Sequence, residues 1–243
     1  MYGMMVSDPS GNALRRSELT RLLHDYDLPL EGFTAEPAEG FAPGMTQAAF
    51  LRTASWKLLI PGQPLPMESL LAHIPGAPLA ANVLRRHLFL RMSLMPYLRP
   101  GRKVTQLTGC FLLGDNLLVA PVSPEDTVDA HLPPGVWTEL NGVCHEGRLR
   151  AMRGYNETPV LVRENTLLPV SMNGQSLTQT TDDDTDRLTL HWFQPAGEAE
   201  CSLADGTRYH VQRVGERIDV CADTDKVFHL VVHENGVEHL IQV

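Results

Sequence analysis

Apolar and polar positions change their period near the middle of this chain. In the first hundred residues the apolar positions recur at helical spacing between proline and glycine breaks such as Pro43, Pro61, Gly62, Pro75, Gly76 and Pro78. Met45–Ile60 carries Ala48, Leu51, Ala54, Ser55 and Leu58 three or four apart, which predicts a helix with one apolar stripe. Leu79–Leu98 carries Leu84, Leu88, Met92 and Met95 on one face with Arg85, Arg86 and His87 beside it, a second packing helix. A shorter helix is predicted over Ala13–His24, entered through Ser10 or Asn12 as N-cap.

From Val104 onward the pattern becomes short runs of β-branched, aliphatic and aromatic residues separated by Gly, Asn and Asp turns. Eight strands are predicted: Phe111–Leu113, Leu117–Val122, Thr158–Val162, Arg187–Phe193, Thr207–Val211, Arg217–Cys221, Lys226–Val232 and Val237–Val243. Leu188, Leu190 and Trp192 alternate, as do Val227, His229 and Val231, and each set is expected to face inward. The polar stretch Ser171–Asp186, with its acidic run Thr181–Asp186, divides two β units. The expected fold class is α+β: a helical and irregular region over residues 1–100, an antiparallel β-sandwich over 101–172 and a small distal β domain over 173–243.

Composition narrows the function classes. The 243 residues are 43% hydrophobic and 20% charged, room for two modest domains. Twenty Lys+Arg against 29 Asp+Glu give a net charge of −9, which argues against nucleic acid and anionic membrane surfaces as partners. The N-terminal residues lack the basic patch and long apolar run of a signal peptide, so a cytoplasmic location is expected. Cys110, Cys144, Cys201 and Cys221 are scattered without a close pair and read as reduced thiols.

Three strings in the middle of the chain carry a resemblance. They are Phe111-Leu112-Leu113-Gly114-Asp115-Asn116-Leu117-Leu118-Val119-Ala120-Pro121-Val122, then Leu132–Leu140 around Trp137, then Thr158–Pro169. In that order and spacing they resemble the β-sandwich that follows the catalytic barrel in glycoside hydrolase family 31, the α-glucosidase and α-xylosidase group. Arg91–Leu98 is similar to the family's final barrel helix and its leucine-proline-tyrosine-leucine end, with Met95 in place of the leucine. Phe50–Trp56 is weakly similar to the helix before the family's substrate-facing arginine-histidine segment, and Leu203–Tyr209 resembles a turn of the distal β domain. The resemblance spans roughly Phe50 to Tyr209 and implies the end of a barrel, a proximal and a distal β domain, and O-glycosyl chemistry.

That chemistry needs two carboxyl groups about 5 to 5.5 Å apart in a retaining enzyme, which the family holds on loops of a barrel of about 250 residues. Only about a hundred residues precede the predicted sandwich. The family's nucleophile segment, an aspartate amid tryptophan, methionine and glutamate, has no counterpart, since tryptophan occurs only at Trp56, Trp137 and Trp192. Ile60-Pro61-Gly62-Gln63-Pro64 stands where the substrate-binding histidine is expected. Tyr2–Asn12 is a worn match to the acid loop and would put Asp8 at the proton-donor position, although Asp-Pro, Ser-Gly and Asn are equally ordinary turn chemistry. Gly32-Phe33 or Gly40-Phe41 would correspond to a glycine-glycine-phenylalanine strand end beside the sugar site, with Glu31, Glu36 or Glu39 nearby, but neither register keeps the family's aspartate in place and these acids read as solvated loop residues. Gly114-Asp115-Asn116 copies part of the acid loop, but its setting assigns it to a strand turn.

His229 and His233 lie four apart on a predicted strand, well over 10 Å along it at about 3.3 Å per residue, and are not expected to share a metal with each other or with His239. The Thr181–Asp186 run lacks the glycine and terminal glutamate of a calcium loop and reads as a solvated linker. No cofactor and no metal is expected. Two functional readings follow: a family 31-like protein that is non-catalytic by itself, packing against a second copy or a barrel-bearing subunit with carbohydrate as the related ligand, or an active or split α-glycosidase with Asp8 as general acid.

Overall fold

A computed structural model describes residues 33–34, 40–98, 102–171 and 188–242, apart from 43, 62 and 64. Asp8, the helix expected over Ala13–His24 and the Thr181–Asp186 run lie outside the described residues.

The helical region holds α1 (Gln47–Lys57), α2 (Met67–His73) and α3 (Pro78–Leu94). The Thr46 hydroxyl caps α1 by accepting from the Ala49 N–H at 3.2 Å, and Pro78 opens α3 at a position where a missing N–H costs nothing. The predicted stripes become one core: Phe50, Leu51, Ala54 and Leu58 from α1 meet Leu84 and Leu88 from α3. Helix α3 stops at Leu94, before Pro96. Two short strands, β1 (Phe33–Thr34) and β2 (Leu65–Pro66), pair in parallel, Phe33 opposite Leu65. This parallel pair beside helices is the part of the expected barrel remnant that the described residues contain.

Six strands form one sheet: β3 (Val104–Leu107), β4 (Cys110–Leu113), β5 (Leu117–Val119), β6 (Thr127–Glu139), β7 (Cys144–Met152) and β8 (Val160–Arg163), in the order β3-β4-β5-β8-β6-β7. Strand β5 is buried on both faces, which accounts for its uninterrupted apolar run. The sheet curls until its parts meet, the His131 N–H donating to Thr108 O at 3.0 Å. Trp137 is fully buried in the curl, with its indole N–H donating to Pro133 O at 2.9 Å.

Strand β6 is not among the eight strands predicted from the sequence, and it contains Pro133 and Pro134. The structure accommodates them at a register shift between His131 and Val136, where a bulge frees the ladder from needing their missing N–H groups. Gly114 makes the β4–β5 turn at φ 63°. A Cβ there would stand 2.6 Å from Arg102 Nη1 and 2.9 Å from Tyr97 Oη, so Gly114-Asp115-Asn116 is a turn against a packed aromatic.

Strands β9 (Thr166–Ser171), β10 (Leu188–Phe193), β14 (Phe228–Glu234) and β15 (Val237–Gln242) form a second sheet in the order β15-β14-β10-β9, so β9 and β10 pair across residue 172. One face of it packs on a third sheet, β11 (Glu198–Ser202), β12 (Arg208–Val214) and β13 (Arg217–Ala222). Among the described residues the strands of the β domains pair antiparallel with one exception: β10 and β14 run parallel, joined through the three strands of the third sheet, a crossover long enough to return the chain to the same end. That register also corrects the phase expected for β14. Leu188, Leu190 and Trp192 face inward as expected, but they stand beside Phe228, Leu230 and Val232, so Val227 and His229 point outward. Val227 and His229 alternate as regularly as their neighbours, and only the partner strand selects the buried set.

The opposite face of this second sheet holds Phe193, Leu168, His191 and His233. Phe193 and Leu168 join a cluster with Leu94, Tyr97 and Leu98 from the end of α3 and Leu113, Leu117 and Val162 from the six-stranded sheet. Tyr97 fastens the junction: its hydroxyl donates to Leu113 O at 2.8 Å and accepts from the Asn116 N–H at 3.3 Å, while the Arg102 guanidinium lies 3.8 Å from the ring centre. Trp56 of α1 stacks on Phe111 at 4.9 Å, and Arg52 pairs with Asp126 at 2.5 Å. His191 Nδ1 and His233 Nε2 are 2.7 Å apart, Phe193 stacks on His233 at 4.2 Å, and Glu238 Oε1 lies 3.4 Å from His233 Nδ1. Burial, with the neighbouring imidazole adding to it, pushes His191 down to about 4. Burial also lowers His233, against the opposing pull of Glu238.

Two outcomes follow from this junction. Tyr97→Phe leaves Leu113 O without its buried donor and should destabilise the chain by about 1–2 kcal/mol, read as a lower urea midpoint at unchanged m. An unfolded histidine takes its proton near pH 6.5, whereas folded His191 does so only near pH 4, so between those values the unfolded state binds more protons. Stability should therefore fall as pH drops from about 6.5 toward about 4, by no more than about 1.4 kcal/mol per pH unit for one group, and urea titrations of His191→Gln should show a shallower fall.

Candidate functional site

A cavity lined by several polar and charged groups lies at the seam between α3 and the six-stranded sheet, with a volume of about 490 Å³. Helix α3 supplies Arg86, His87 and Leu90 to one wall, successive positions on the flank of its packed face. The other wall comes from the end of β6, the turn after it and the segment leading from β7 into β8. Local bonds set that wall: the Leu140 N–H donates to Val160 O at 3.1 Å, the Gly142 N–H to Glu139 O at 2.8 Å and the Glu157 N–H to Gly154 O at 2.9 Å.

Glu139 is the buried carboxylate of the cavity, its side chain 6% exposed. His145 Nε2 lies 2.7 Å from its Oε1. Arg153 Nη2 donates to both oxygens, at 2.8 and 3.1 Å, and Asn141 Nδ2 donates to Oε2 at 3.3 Å. A carboxylate has about four acceptor positions, and these contacts occupy them, so Glu139 anchors the wall and is not presented for attack on a substrate. Arg153, which lines the cavity, spends only Nη2 on that carboxylate.

His87 is buried, and its Nδ1 lies 2.9 Å from Val83 O. A carbonyl only accepts, so Nδ1 carries the proton and Nε2 of the neutral ring is an acceptor. Burial pushes the imidazole below its ordinary value and Arg86 adds to this, while the bond to Val83 opposes both.

Asp8, Glu31, Glu36 and Glu39 lie outside the described residues. Of the two Gly-Phe pairs, Phe33 begins β1, whereas Phe41 packs against the helical core and tilts against Phe50 at 5.9 Å. In the segment where a substrate-binding histidine was expected, Gln63 accepts from Lys57 Nζ at 3.3 Å. His233 meets His191 across the parallel pair, a contact that spacing along one strand could not reveal. Among the described residues no group of three or more His, Cys, Asp or Glu is arranged to hold a metal. All four cysteines are free thiols, and burial pushes Cys110 up to about 11 and Cys201 up to about 12, away from nucleophilic thiolate chemistry. The wall around Glu139 was missed because its members, from Arg86 to Glu157, are scattered polar residues that form no motif.

Comparison with known proteins accounts for this architecture. Residues 88–168 match the glycosyl hydrolase family 31 C-terminal domain. The cycloalternan-forming enzyme from Listeria monocytogenes superposes with a TM-score of 0.64 at 19% identity, over 79% of this chain and 23% of that enzyme. The family 31 α-xylosidase from Xanthomonas citri gives 0.61 at 15% identity, over 81% of this chain and 28% of the other. The α-1,4-glucan lyase from Gracilariopsis lemaneiformis gives 0.60 at 17%, over 94% and 32%. The chain thus spans a quarter to a third of the length of these enzymes. The family match runs from the end of α3 through the six-stranded sheet into β9, and the fold around it is shared with solved family 31 enzymes.

Proposed function

We infer that this chain is a family 31-like component of carbohydrate metabolism that does not hydrolyse glycosides by itself and serves as the β-domain brace of a barrel. The state of Glu139 carries the reading. The buried carboxylate of the α3 seam cavity is saturated by Arg153, His145 and Asn141, so it can neither attack an anomeric carbon nor share a sugar with a second acid. Among the described residues the helical region contributes one parallel strand pair, β1 with β2, whereas a closed ring of eight strands is what holds the two acids of such an enzyme.

The relatives differ in chemistry: one is named a cycloalternan-forming enzyme, one an α-xylosidase and one a glucan lyase. A shared β region therefore transfers bracing more readily than it transfers a reaction. The brace acts through the Tyr97 junction, which fixes the last helix against two sheets. Its partner is a second copy of the chain or a subunit carrying the remaining barrel strands. The four free thiols agree with a cytoplasmic setting, and no helix among the described residues is long and apolar enough to cross a membrane.

Purified chain assayed with aryl α-glucosides and α-xylosides should release no aglycone above the buffer rate, and Asp8→Asn should behave identically. Turnover by the chain alone that disappears in Asp8→Asn would establish the active-enzyme reading instead. Turnover that arises only when a barrel-bearing fragment is added, and survives Asp8→Asn, is the outcome expected of a brace.

A further inference from the structure

The geometry points to the cavity between α3 and the six-stranded sheet as a binding site for a small neutral saccharide of one or two rings, separate from any catalytic centre. The volume, about 490 Å³, falls within the range of about 300–1,000 Å³ usual for small-molecule sites. The lining is balanced in charge: the guanidinium groups of Arg86 and Arg153 are matched by the carboxylates of Glu139 and Glu157. Such a lining gives no net attraction to a phosphate or to a cation, and favours a ligand that is polar without being charged.

The cavity offers both halves of a hydroxyl's hydrogen bonding. Arg153 keeps donors that Glu139 does not use, and the Asn156 amide makes no side-chain hydrogen bond among the described residues. His87 Nε2 is an acceptor fixed by the Nδ1–H bond to Val83, and Glu157 places a second acceptor at the rim. A hydroxyl both donates and accepts, so a polyol satisfies this mixture where a simple anion or an ammonium would leave one half unmet. Partly buried Leu90 adds apolar surface for the C–H face of a sugar ring, backed by buried Val160. The buried Glu139–Arg153–His145 set holds one wall rigid, which lowers the ordering cost of weak binding.

The proposal stands apart from the hydrolysis question, since binding is read without turnover. Isothermal titration of the full chain with maltose, glucose and inorganic phosphate tests it, with methyl chemical shifts of Leu90 and Val160 as a local readout. Maltose or glucose should bind saturably, shift those methyls, and bind about tenfold more weakly to Asn156→Ala and to Arg86→Ala, the scale of one or two lost hydrogen bonds. Both side chains reach solvent, so circular dichroism of the variants should match the parent. Three results would overturn the site: no saturable binding of either sugar, phosphate binding more tightly than maltose, or undiminished sugar binding in both variants.

Discussion

Burial of the C-terminal end of α3 is the constraint on which the rest of the structure depends. Leu94, Tyr97 and Leu98 leave the helix where Pro96 forbids its continuation, and their apolar surface is covered by the six-stranded sheet and by the inner face of the second sheet. Tyr97 makes this junction specific. Its ring is sandwiched by the Arg102 guanidinium and its hydroxyl answers two backbone groups of the β4–β5 turn, so the helix and the turn hold one register. The Trp56–Phe111 stack and the Arg52–Asp126 pair repeat the attachment from α1. An aromatic pair adds about 0.5–1.5 kcal/mol beyond its buried area, and the value of these contacts lies as much in orientation as in energy.

The same junction explains why the second sheet has two unlike faces. One face carries Leu190, Trp192, Leu230 and Val232 into an apolar core with the third sheet. The other carries Phe193 into the junction, with the His191–His233 pair beside it. Two imidazoles at 2.7 Å hold one hydrogen bond only while at least one of them is neutral. Burial keeps both below their ordinary values, so this polar pair is compatible with a packed interface near neutral pH and works against it in acid.

Electrostatics at the α3 seam are handled in the opposite way. Glu139 is fully engaged by Arg153, His145 and Asn141, and a cavity lined by two arginines and two glutamates is left beside it. A carboxylate held this tightly is a strut, because every lone pair already has a donor. The structure thereby separates two roles that one acidic residue in a cleft could be mistaken for, a wall of a binding cavity and a participant in bond cleavage.

Sequence alone determined the change from helical to strand periodicity, the two packing helices, the inward face of Leu188, Leu190 and Trp192, and the turn at Gly114, because each depends on residues close together in the chain. The order of the family strings from Phe111 to Pro169 likewise located the β-sandwich. Tertiary structure decided what depends on partners distant in sequence. The bulge that admits Pro133 and Pro134, the phase of β14, the meeting of His191 with His233, and the cavity around Glu139 all arise where one strand or helix is set against another. A strand's period fixes that its side chains alternate, but which set is buried, and which polar groups meet across a seam, is settled only when the neighbouring element is in place.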